Sequence, residues 1–337
     1  MSKSNLKLSI LDQSPVRKGV SAHTAIAETV ELAKLGDKLG FTRFWVSEHH
    51  NTSTLAGSTP EVLIAHLAGF TKNTRLGSGG IMLPNHSALK VAENFRMLEI
   101  IAPGRIDLGL GRAPGTDRLT ASILNPSNSF NEQDLLIQIN DLRNYLHESH
   151  DPNSIQSKII AIPQALSAPP MWLLSSSGQS GIFAAHFGMG MSFAHFINPS
   201  GGPKFVEMYR ERYQPTEFTP QPQVNVAAFI FCSENEEKIF QQQAVMDYRF
   251  LQLEKGGKFE PINFDDIKNE RYDASDLLRI NYNRQRMLSG TPAQIKQQID
   301  ELAAAYKTDE IIAVTITEDF EDRIRSYELL AELYPQI

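Results

Sequence analysis

Four short segments of the chain carry residue types from which an active site could be built, and the first is Glu48-His49-His50 after the apolar run Phe44-Trp45-Val46. A carboxylate beside two imidazoles can transfer protons near neutral pH or bind a metal ion. Because neighbouring side chains of a strand face opposite ways, we expect Glu48 and His50 on one face and His49 on the other. The two histidines are therefore poorly placed to bind one metal ion. A loop anchor held by hydrogen bonds is the structural alternative.

The second segment, RLGSGGIMLPNHSA, is a strand pattern that Gly77, Gly79 and Gly80 interrupt. Glycine inside a strand often marks a bulge or a position where a ligand comes close to the backbone. A flat aromatic ring packed on this strand is the functional interpretation, and a bulge that helps to close the sheet is the structural one. The sequence leaves both open.

The third segment, GRIDLGLGRAPGTD, places Arg112 where a glycine-rich strand ends. A guanidinium group is planar and always charged, so it can pair with a phosphate through two parallel hydrogen bonds. It can equally form an ion pair with a carboxylate of the same loop, such as Asp117. Both interpretations remain open for Arg112.

The fourth segment, MWLLSSSGQSGIFAAHFG, ends a strand in SSSGQS and passes at once into a helix. The free N–H groups and the dipole of a helix start favour a bound anion. Serine at this position is more commonly an N-cap, which would give Ser177 or Ser180 a structural role only. The segment is a candidate phosphate site with that alternative attached.

Other polar residues near strand ends are weaker candidates. Gln13 and Ser14 follow the first strand and His195 follows the sixth, where they could line a substrate pocket. A packed or solvated imidazole is the commoner role for a residue like His195. The remaining histidines outside the first segment lie in helices or loops and receive no role: His23, His66, His86 and His186, among others.

Composition excludes several classes of protein. The 337 residues carry a formal net charge of -7 without a dense basic run, which argues against a nucleic acid partner. The single cysteine, Cys232, rules out a disulfide framework and fits a reducing cytoplasm. The N-terminal sequence has no signal-peptide pattern, and no run approaches the ~18 apolar residues of a membrane span. We expect a cytoplasmic globular protein.

Short β-branched or aromatic runs alternate regularly with longer helical patterns. The predicted strands number eight: Lys7–Leu11, Arg43–Ser47, Arg75–Leu83, Arg105–Gly109, Met171–Ser175, Met189–Ala194, Gln223–Cys232 and Glu310–Ile316. Eight strand-helix units predict a (β/α)8 TIM barrel, an α/β fold whose active sites lie at the C-terminal strand ends. All four segments above lie at such ends. A dinucleotide-binding sheet is disfavoured because the first strand leads into LDQSPVRKG, which lacks the GxGxxG fingerprint.

The stretch before the last strand is too long for one barrel helix. It covers about residues 233–289 and contains the loop EKGGKFEPINFDDIKNERYDASD. We predict a helical and loop insertion over the barrel, a lid or a partner surface. No linker divides the chain, so we expect one domain over residues 1–337.

Taken together, the motifs resemble those of the bacterial luciferase-like flavin-dependent monooxygenases. SEHH, GSGGIMLPNHSALKVAENFRMLE, APGRIDLGLGRAPGTD and SSSGQS follow one another in that family's order. The GRAPGTD and GTPAQIKQQIDEL runs are similar to those of its single-chain oxidoreductases. The resemblance covers nearly the whole chain and implies a barrel that binds FMN, usually in its reduced form as a cosubstrate.

The resemblance also implies roles for individual residues. His49 would be the catalytic histidine and Glu48 a carboxylate beside the flavin. Gly79 and Gly80 would be joined by a cis peptide bond under the isoalloxazine ring. Arg112 would bind the phosphate, together with the helix start at Ser177, Gly178, Gln179 and Ser180.

Two positions depart from the light-emitting enzyme of this family. Gly111 stands where that enzyme has a reactive cysteine, and Ser176 stands where it has a glutamate. Light emission is therefore not expected. The arginine and the hydroxyl-rich turn remain, so the expectation of flavin binding is unaffected.

The sequence thus predicts a two-component monooxygenase that uses reduced FMN and O2 to oxygenate a small organic substrate. A separate flavin reductase would supply the reduced FMN, since the chain has no second nucleotide-binding domain, and the resemblance suggests a homodimer. Two alternatives stay open. One is a deazaflavin (F420)-dependent dehydrogenase of the same fold, and the other is a non-catalytic FMN-binding flavoprotein. A metal hydrolase would require stoichiometric zinc, and no metal site is predicted.

Overall fold

A computed structural model describes residues 6–257 and 260–335, and within them the predicted strands are present. Their bounds are β1 (Lys7–Asp12), β2 (Arg43–Val46), β3 (Arg75–Ser78), β4 (Ile81–Met82), β5 (Ile106–Gly111), β6 (Met171–Ser175), β7 (Gly190–Ala194), β8 (Val224–Cys232), β9 (Met287–Gly290) and β10 (Glu310–Val314). The predicted third strand is divided into β3 and β4 by Gly79 and Gly80. The glycines thus interrupt the strand at the position that the sequence indicates.

The strands form a closed parallel barrel. Neighbours follow the order β1, β2, β3, β5, β6, β7, β8 and β10, and β10 pairs with both β8 and β1. β4 continues β3 and pairs with β5. The predicted (β/α)8 architecture is confirmed.

Helices connect the strands, in agreement with the helical patterns that the sequence shows between the strand runs. They are α1 (Ala22–Leu39), α2 (Pro60–Ala68), α3 (Ala88–Ile101), α4 (Arg118–Leu124), α5 (Glu132–His147), α6 (Gly178–His186), α7 (Gly202–Arg212), α8 (Glu236–Glu254), α9 (Phe264–Ile267), α10 (Ala274–Asn283), α11 (Pro292–Tyr306) and α12 (Phe320–Leu333). The short α4 was not predicted. None of the described helices is both long and apolar enough to cross a bilayer.

The stretch over residues 233–289 contains α8, α9 and α10 and one strand that the sequence analysis missed. This strand, β9, pairs with β8 on the outside of the barrel path. Met287, Leu288 and Ser289 of β9 are all partly exposed. They therefore lack the apolar run or the apolar–polar alternation by which a strand is predicted from sequence. The insertion therefore extends the sheet as well as covering it.

The lower end of the barrel is filled by buried polar and aromatic side chains. Arg43 forms ion pairs with Asp107 (2.6 Å) and Glu310 (2.8 Å), and Asp107 also accepts a hydrogen bond from Trp45 Nε1 (3.1 Å). Burial by itself lowers the pKa of Arg43, but the two carboxylates hold it above its ordinary value. Trp45 packs edge-on against Trp172 with ring centroids 5.6 Å apart. This cluster forms a solid floor below the upper strand ends.

Candidate active site

The four candidate segments lie side by side at the upper, C-terminal end of the barrel. β2 pairs with β3, β4 pairs with β5, and β5 pairs with β6. Because parallel strands all end at the same edge, the residues that follow β2, β3/β4, β5 and β6 surround one region. The topology thus brings all four segments together.

The side chain of Glu48 is fully buried just after β2, where protein donors surround its carboxylate. His50 Nε2 donates to Oε1 at 2.8 Å and His86 Nε2 at 2.9 Å, while the backbone N–H of Met82 donates to Oε2 at 2.8 Å. Asn85 Nδ2 adds a contact of 3.2 Å. Burial raises the pKa of Glu48, but these hydrogen bonds outweigh it and hold the pKa below its ordinary range. Glu48 is therefore an ionised anchor for the loop after β4.

Two histidines share this carboxylate. His50 lies on the same side as Glu48, as the alternation of the strand predicts. His86, which the sequence analysis gave no role, contacts both carboxylate oxygens, at 2.9 and 3.0 Å. Burial lowers the pKa of His86, and Glu48 more than offsets this and raises it above the ordinary value. The only sequence signal for His86 was its place four residues after Met82, in the run that follows the glycines.

His49 points away from this carboxylate. Its Nδ1 shares a hydrogen bond with Ser47 Oγ at 3.1 Å, and its backbone N–H donates to the carbonyl of Gly57 at 2.9 Å. Burial lowers the pKa of His49, and the attraction of Glu48 opposes this without reversing it. The lowered pKa favours the neutral imidazole, and Nε2 forms no hydrogen bond with the described residues.

The peptide bond between Gly79 and Gly80 is cis, which agrees with the geometry that the resemblance implies. Both glycines are buried and have no room for a side chain. A Cβ on Gly79 would lie 2.7 Å from Leu11 Cδ1, and one on Gly80 would lie 2.8 Å from the carbonyl oxygen of Gly109. Close packing against β1 and β5 therefore requires glycine at both positions of this bulge. Its role as a flavin platform stays a prediction.

Arg112 follows β5 with an exposed and unpaired guanidinium group. No described residue forms an ion pair or hydrogen bond with it. Asp117, its structural alternative, instead accepts hydrogen bonds from Asn51 Nδ2 (2.8 Å) and from the N–H of Thr120 (3.0 Å). The interpretation of Arg112 as an ion-pair partner of Asp117 is therefore wrong. The guanidinium is available to a ligand.

The start of α6 keeps its N–H groups free of a side-chain cap. Helix α6 begins at Gly178, and Ser177 at its N-cap position forms no capping hydrogen bond. Gly178 lies against Phe205, since a Cβ there would be 2.9 Å from Phe205 Cδ1. Gln179 Nε2 donates to Glu132 at 3.2 Å, and Ser180 is buried. The N-cap alternative for Ser177 is not observed, and the backbone N–H of Ser177 donates to Ser175 Oγ at 3.3 Å.

Two of the weaker candidates, His195 and Ser14, have structural partners. His195 forms hydrogen bonds with the Tyr306 hydroxyl (2.9 Å) and with the carbonyl of Gln285 (2.8 Å), as expected for a packed histidine. Ser14 is buried, and its hydroxyl accepts a hydrogen bond from Thr29 at 2.9 Å. Within residues 6–257 and 260–335 no three His, Cys, Asp or Glu side chains are grouped as metal ligands.

A cavity of about 790 Å³ lies at the other end of the barrel, where it contacts only the two ends of the fourth segment, at Met171, Phe187 and Gly188, and none of its candidate residues. Its walls include residues that precede β6 and β7, such as Pro170 and Met189, and residues of α5 such as Arg143. These positions are at the N-terminal strand ends, where barrels of this kind do not build active sites. The strand-end geometry, rather than the volume of this cavity, identifies the candidate active site.

Known proteins with similar sequences extend over the whole chain. A family model described as luciferase-like monooxygenase matches residues 6–309. The chain is 47% identical to the uncharacterized protein YwcH of Bacillus subtilis, over 98% of this chain and 99% of that protein. It is 31% identical to the N-acetyl-S-alkylcysteine monooxygenase of the same organism, over 97% of this chain and 98% of that one.

Solved structures show the same fold. Apo-MsnO8 aligns with a TM-score of 0.88 at 32% identity, over 98% of this chain and 99% of MsnO8. The oxygenating constituent of 3,6-diketocamphane monooxygenase from Pseudomonas putida, solved with FMN, aligns with a TM-score of 0.69 at 18% identity, over 98% of each chain. An F420-dependent secondary alcohol dehydrogenase aligns with a TM-score of 0.70 at 13% identity, over 98% of each chain. From its family model and its relatives, the chain belongs to the luciferase-like monooxygenase family.

Proposed function

We propose that this protein is a cytoplasmic FMN-dependent monooxygenase that oxygenates a small organic substrate. Membership of the luciferase-like family supports an oxidoreductase, and the choice of cofactor rests on the site itself. The observation that carries it is Arg112 after β5, with which no described residue pairs, near the uncapped start of α6. An anionic group bound there would neutralise the arginine and complete the helix start.

The position of this anion site fits a flavin phosphate. The cis Gly79–Gly80 bulge precedes β4, β4 pairs with β5, and β5 pairs with β6, so the bulge lies one strand from Arg112 and two strands from the start of α6. Neighbouring strands are about 4.8 Å apart, which separates the bulge from the start of α6 by roughly 10 Å. In this arrangement the backbone of the bulge would support the ring, and Arg112 with Ser177 and Gly178 would hold the phosphate.

The remaining residues would orient the site and move protons. Reduced FMN, when bound, supplies the electrons that activate O2. Glu48 is a positioning residue, because its carboxylate holds the Met82 N–H next to the bulge. The neutral His49 would accept or return a proton at Nε2, while Ser47 fixes its Nδ1. The stretch over residues 233–289 would exclude water, as part of a single domain.

The proposal includes two further proteins. A separate reductase would deliver reduced FMN, and the description of the P. putida relative as an oxygenating constituent supports this division. The B. subtilis relative that acts on N-acetyl-S-alkylcysteines supports a small organic substrate. A second copy of the chain would complete a homodimer, for which the exposed Val62, Phe70, Met97, Ile100 and Ile101 of α2 and α3 and their ends are candidate contacts.

The decisive experiment is stopped-flow mixing of the reduced-FMN complex with oxygen. A long-lived absorbing species before the return to oxidised flavin supports oxygenation, whereas direct return argues against it. Titration with FMN and with F420 in parallel tests the cofactor, and a preference for F420 would replace the proposal with a dehydrogenase. The F420-dependent structural relative supports this alternative only as a fold. Tight binding of oxidised FMN with no oxygen-dependent product would instead indicate a non-catalytic flavoprotein.

A further inference from the structure

Arg249 on α8 has no hydrogen-bond or ion-pair partner in the described part of the chain. It forms no hydrogen bond or ion pair with any residue of 6–257 and 260–335, and its Nε is sealed from solvent without an acceptor. The residue as a whole keeps partial exposure. A buried N–H of a cation without an acceptor costs free energy, so such a group indicates a missing anion.

The face of α8 that carries Arg249 leans over the barrel mouth. Gln242, two turns earlier on the same face, donates to the carbonyl of Ile316 just beyond β10. Phe250, the next residue after Arg249, packs on Phe229 of β8 with ring centroids 5.8 Å apart. Arg249 therefore lies above the upper ends of β8 and β10.

Glu318, the carboxylate that acts on Arg249, already has a hydrogen-bond donor. Glu318, in the loop after β10, accepts a hydrogen bond from the backbone N–H of Phe264 at the start of α9. Burial raises the pKa of Glu318, and Arg249 opposes that shift. Burial likewise lowers the pKa of Arg249, and Glu318 opposes it. The two groups act on each other through space but do not form an ion pair within 4.0 Å, so the guanidinium edge is left for another anion.

The barrel order places Arg249 across the mouth from the candidate flavin platform. In the closed order of eight strands, β3 is third and β8 is seventh, which puts them on opposite walls. Between the walls stand the partly exposed rings of Phe196 and Phe229, with centroids 5.2 Å apart. A molecule held by Arg249 would rest its apolar part on these rings and extend toward Gly79–Gly80.

We propose that Arg249 binds a carboxylate of the organic substrate, so that the substrates of this enzyme are small organic acids with an apolar portion. The proposal rests on the proposed function and names its substrate class. A guanidinium recognises a carboxylate through two parallel hydrogen bonds, and the recognition is strongest where water is excluded. The cation then fixes one end of the substrate while the rings orient the other.

The test compares acids with their neutral amides. Phenylacetate, hexanoate and N-acetyl-S-methylcysteine, each with its primary amide, are titrated calorimetrically into the FMN-loaded protein. For at least one pair, wild type should bind the acid about tenfold to a hundredfold more tightly than the amide. Arg249→Gln should abolish this preference while leaving amide binding unchanged. Arg271→Gln removes the same charge from an exposed position of the same insertion and should keep the preference.

Further variants exclude the other roles of Arg249. Glu318→Gln removes an opposing charge and should strengthen acid binding. If no acid binds better than its amide, or if Arg249→Gln keeps the preference, the proposal is overturned. A loss of FMN affinity but not riboflavin affinity in Arg249→Gln would also overturn it, because the missing anion would then be the cofactor phosphate. FMN affinity and flavin reoxidation test the proposed function separately and do not depend on these titrations.

Discussion

His86→Ala should destabilise the protein more at pH 6 than at pH 9. Glu48, whose side chain is fully buried, accepts hydrogen bonds from His86, His50 and the Met82 N–H. The pKa of Glu48 is lowered in the folded protein, so its contribution is present above about pH 4.5 and is lost as the pH falls through the lowered value. The pKa of His86 is raised, so its contribution is present below about pH 6.5 and is lost as the pH rises through the raised value. The pair is therefore strongest between these limits.

The expected magnitude follows from what the substitution leaves behind. Removal of one partner of a fully buried ion pair costs about 3–5 kcal/mol. His86 is 28% exposed, and three other donors remain on Glu48, so we expect about 2 kcal/mol at pH 6. Once the pH has risen through the raised pKa of His86, the imidazole is neutral and only a hydrogen bond is lost, about 1 kcal/mol.

Urea unfolding of wild type and variant at both pH values measures this difference. His23→Ala serves as the control, because His23 is exposed on α1, and it should change the free energy of unfolding equally little at pH 6 and pH 9. A loss for His86→Ala that is the same at both pH values would refute the assignment of a charged His86–Glu48 pair. A loss that is larger at pH 9 would contradict the sign of the His86 shift.

Three further predictions test other parts of the molecule. Arg112→Gln should weaken FMN binding about tenfold or more in a fluorescence titration, and leave riboflavin binding unchanged, because only FMN carries the phosphate. The NMR signal of His49, assigned by its loss in His49→Gln, should titrate below the ordinary histidine pKa of about 6.5, since burial disfavours the charged imidazole; a titration above that value would show that the attraction of Glu48 prevails. Trp172→Ala should lower the free energy of unfolding by about 3–5 kcal/mol in urea, because it removes the ring that packs on Trp45, and Trp fluorescence reports the transition.

The strands and the positions of the candidate site could be predicted from the sequence because a local pattern of residues indicates each strand. Apolar runs such as Phe44–Val46 are buried on both faces, and the polar residue that follows each run marks where the strand leaves the core. Parallel pairing then brings the strand ends together without further information. The opposite facing of His49 and His50 required only the alternation of an extended chain.

What the sequence could not show depends on contacts between distant segments. His86 and Asn85 acquire their roles only because the loop after β4 folds back onto Glu48, 37 and 38 residues earlier. Two interpretations were open for Arg112, a phosphate site and an ion pair with Asp117. The structure decides between them because Asn51 and Thr120 donate hydrogen bonds to the Asp117 carboxylate. Neither competition leaves a periodic pattern in the chain.

The floor of the barrel affects how ligands enter and leave. It consists of Arg43, Asp107, Glu310 and the two tryptophans. Because these side chains fill the lower end of the barrel, we expect ligands to reach the strand ends from the upper end. Under the two proposals above, the flavin, the organic acid and oxygen would all use the entrance at the upper end of the barrel, beneath α8. The flavin would lie deeper than the substrate, so it would have to bind first. The product would then have to leave before the oxidised flavin. We therefore expect ordered rather than random binding, with the flavin first in and last out.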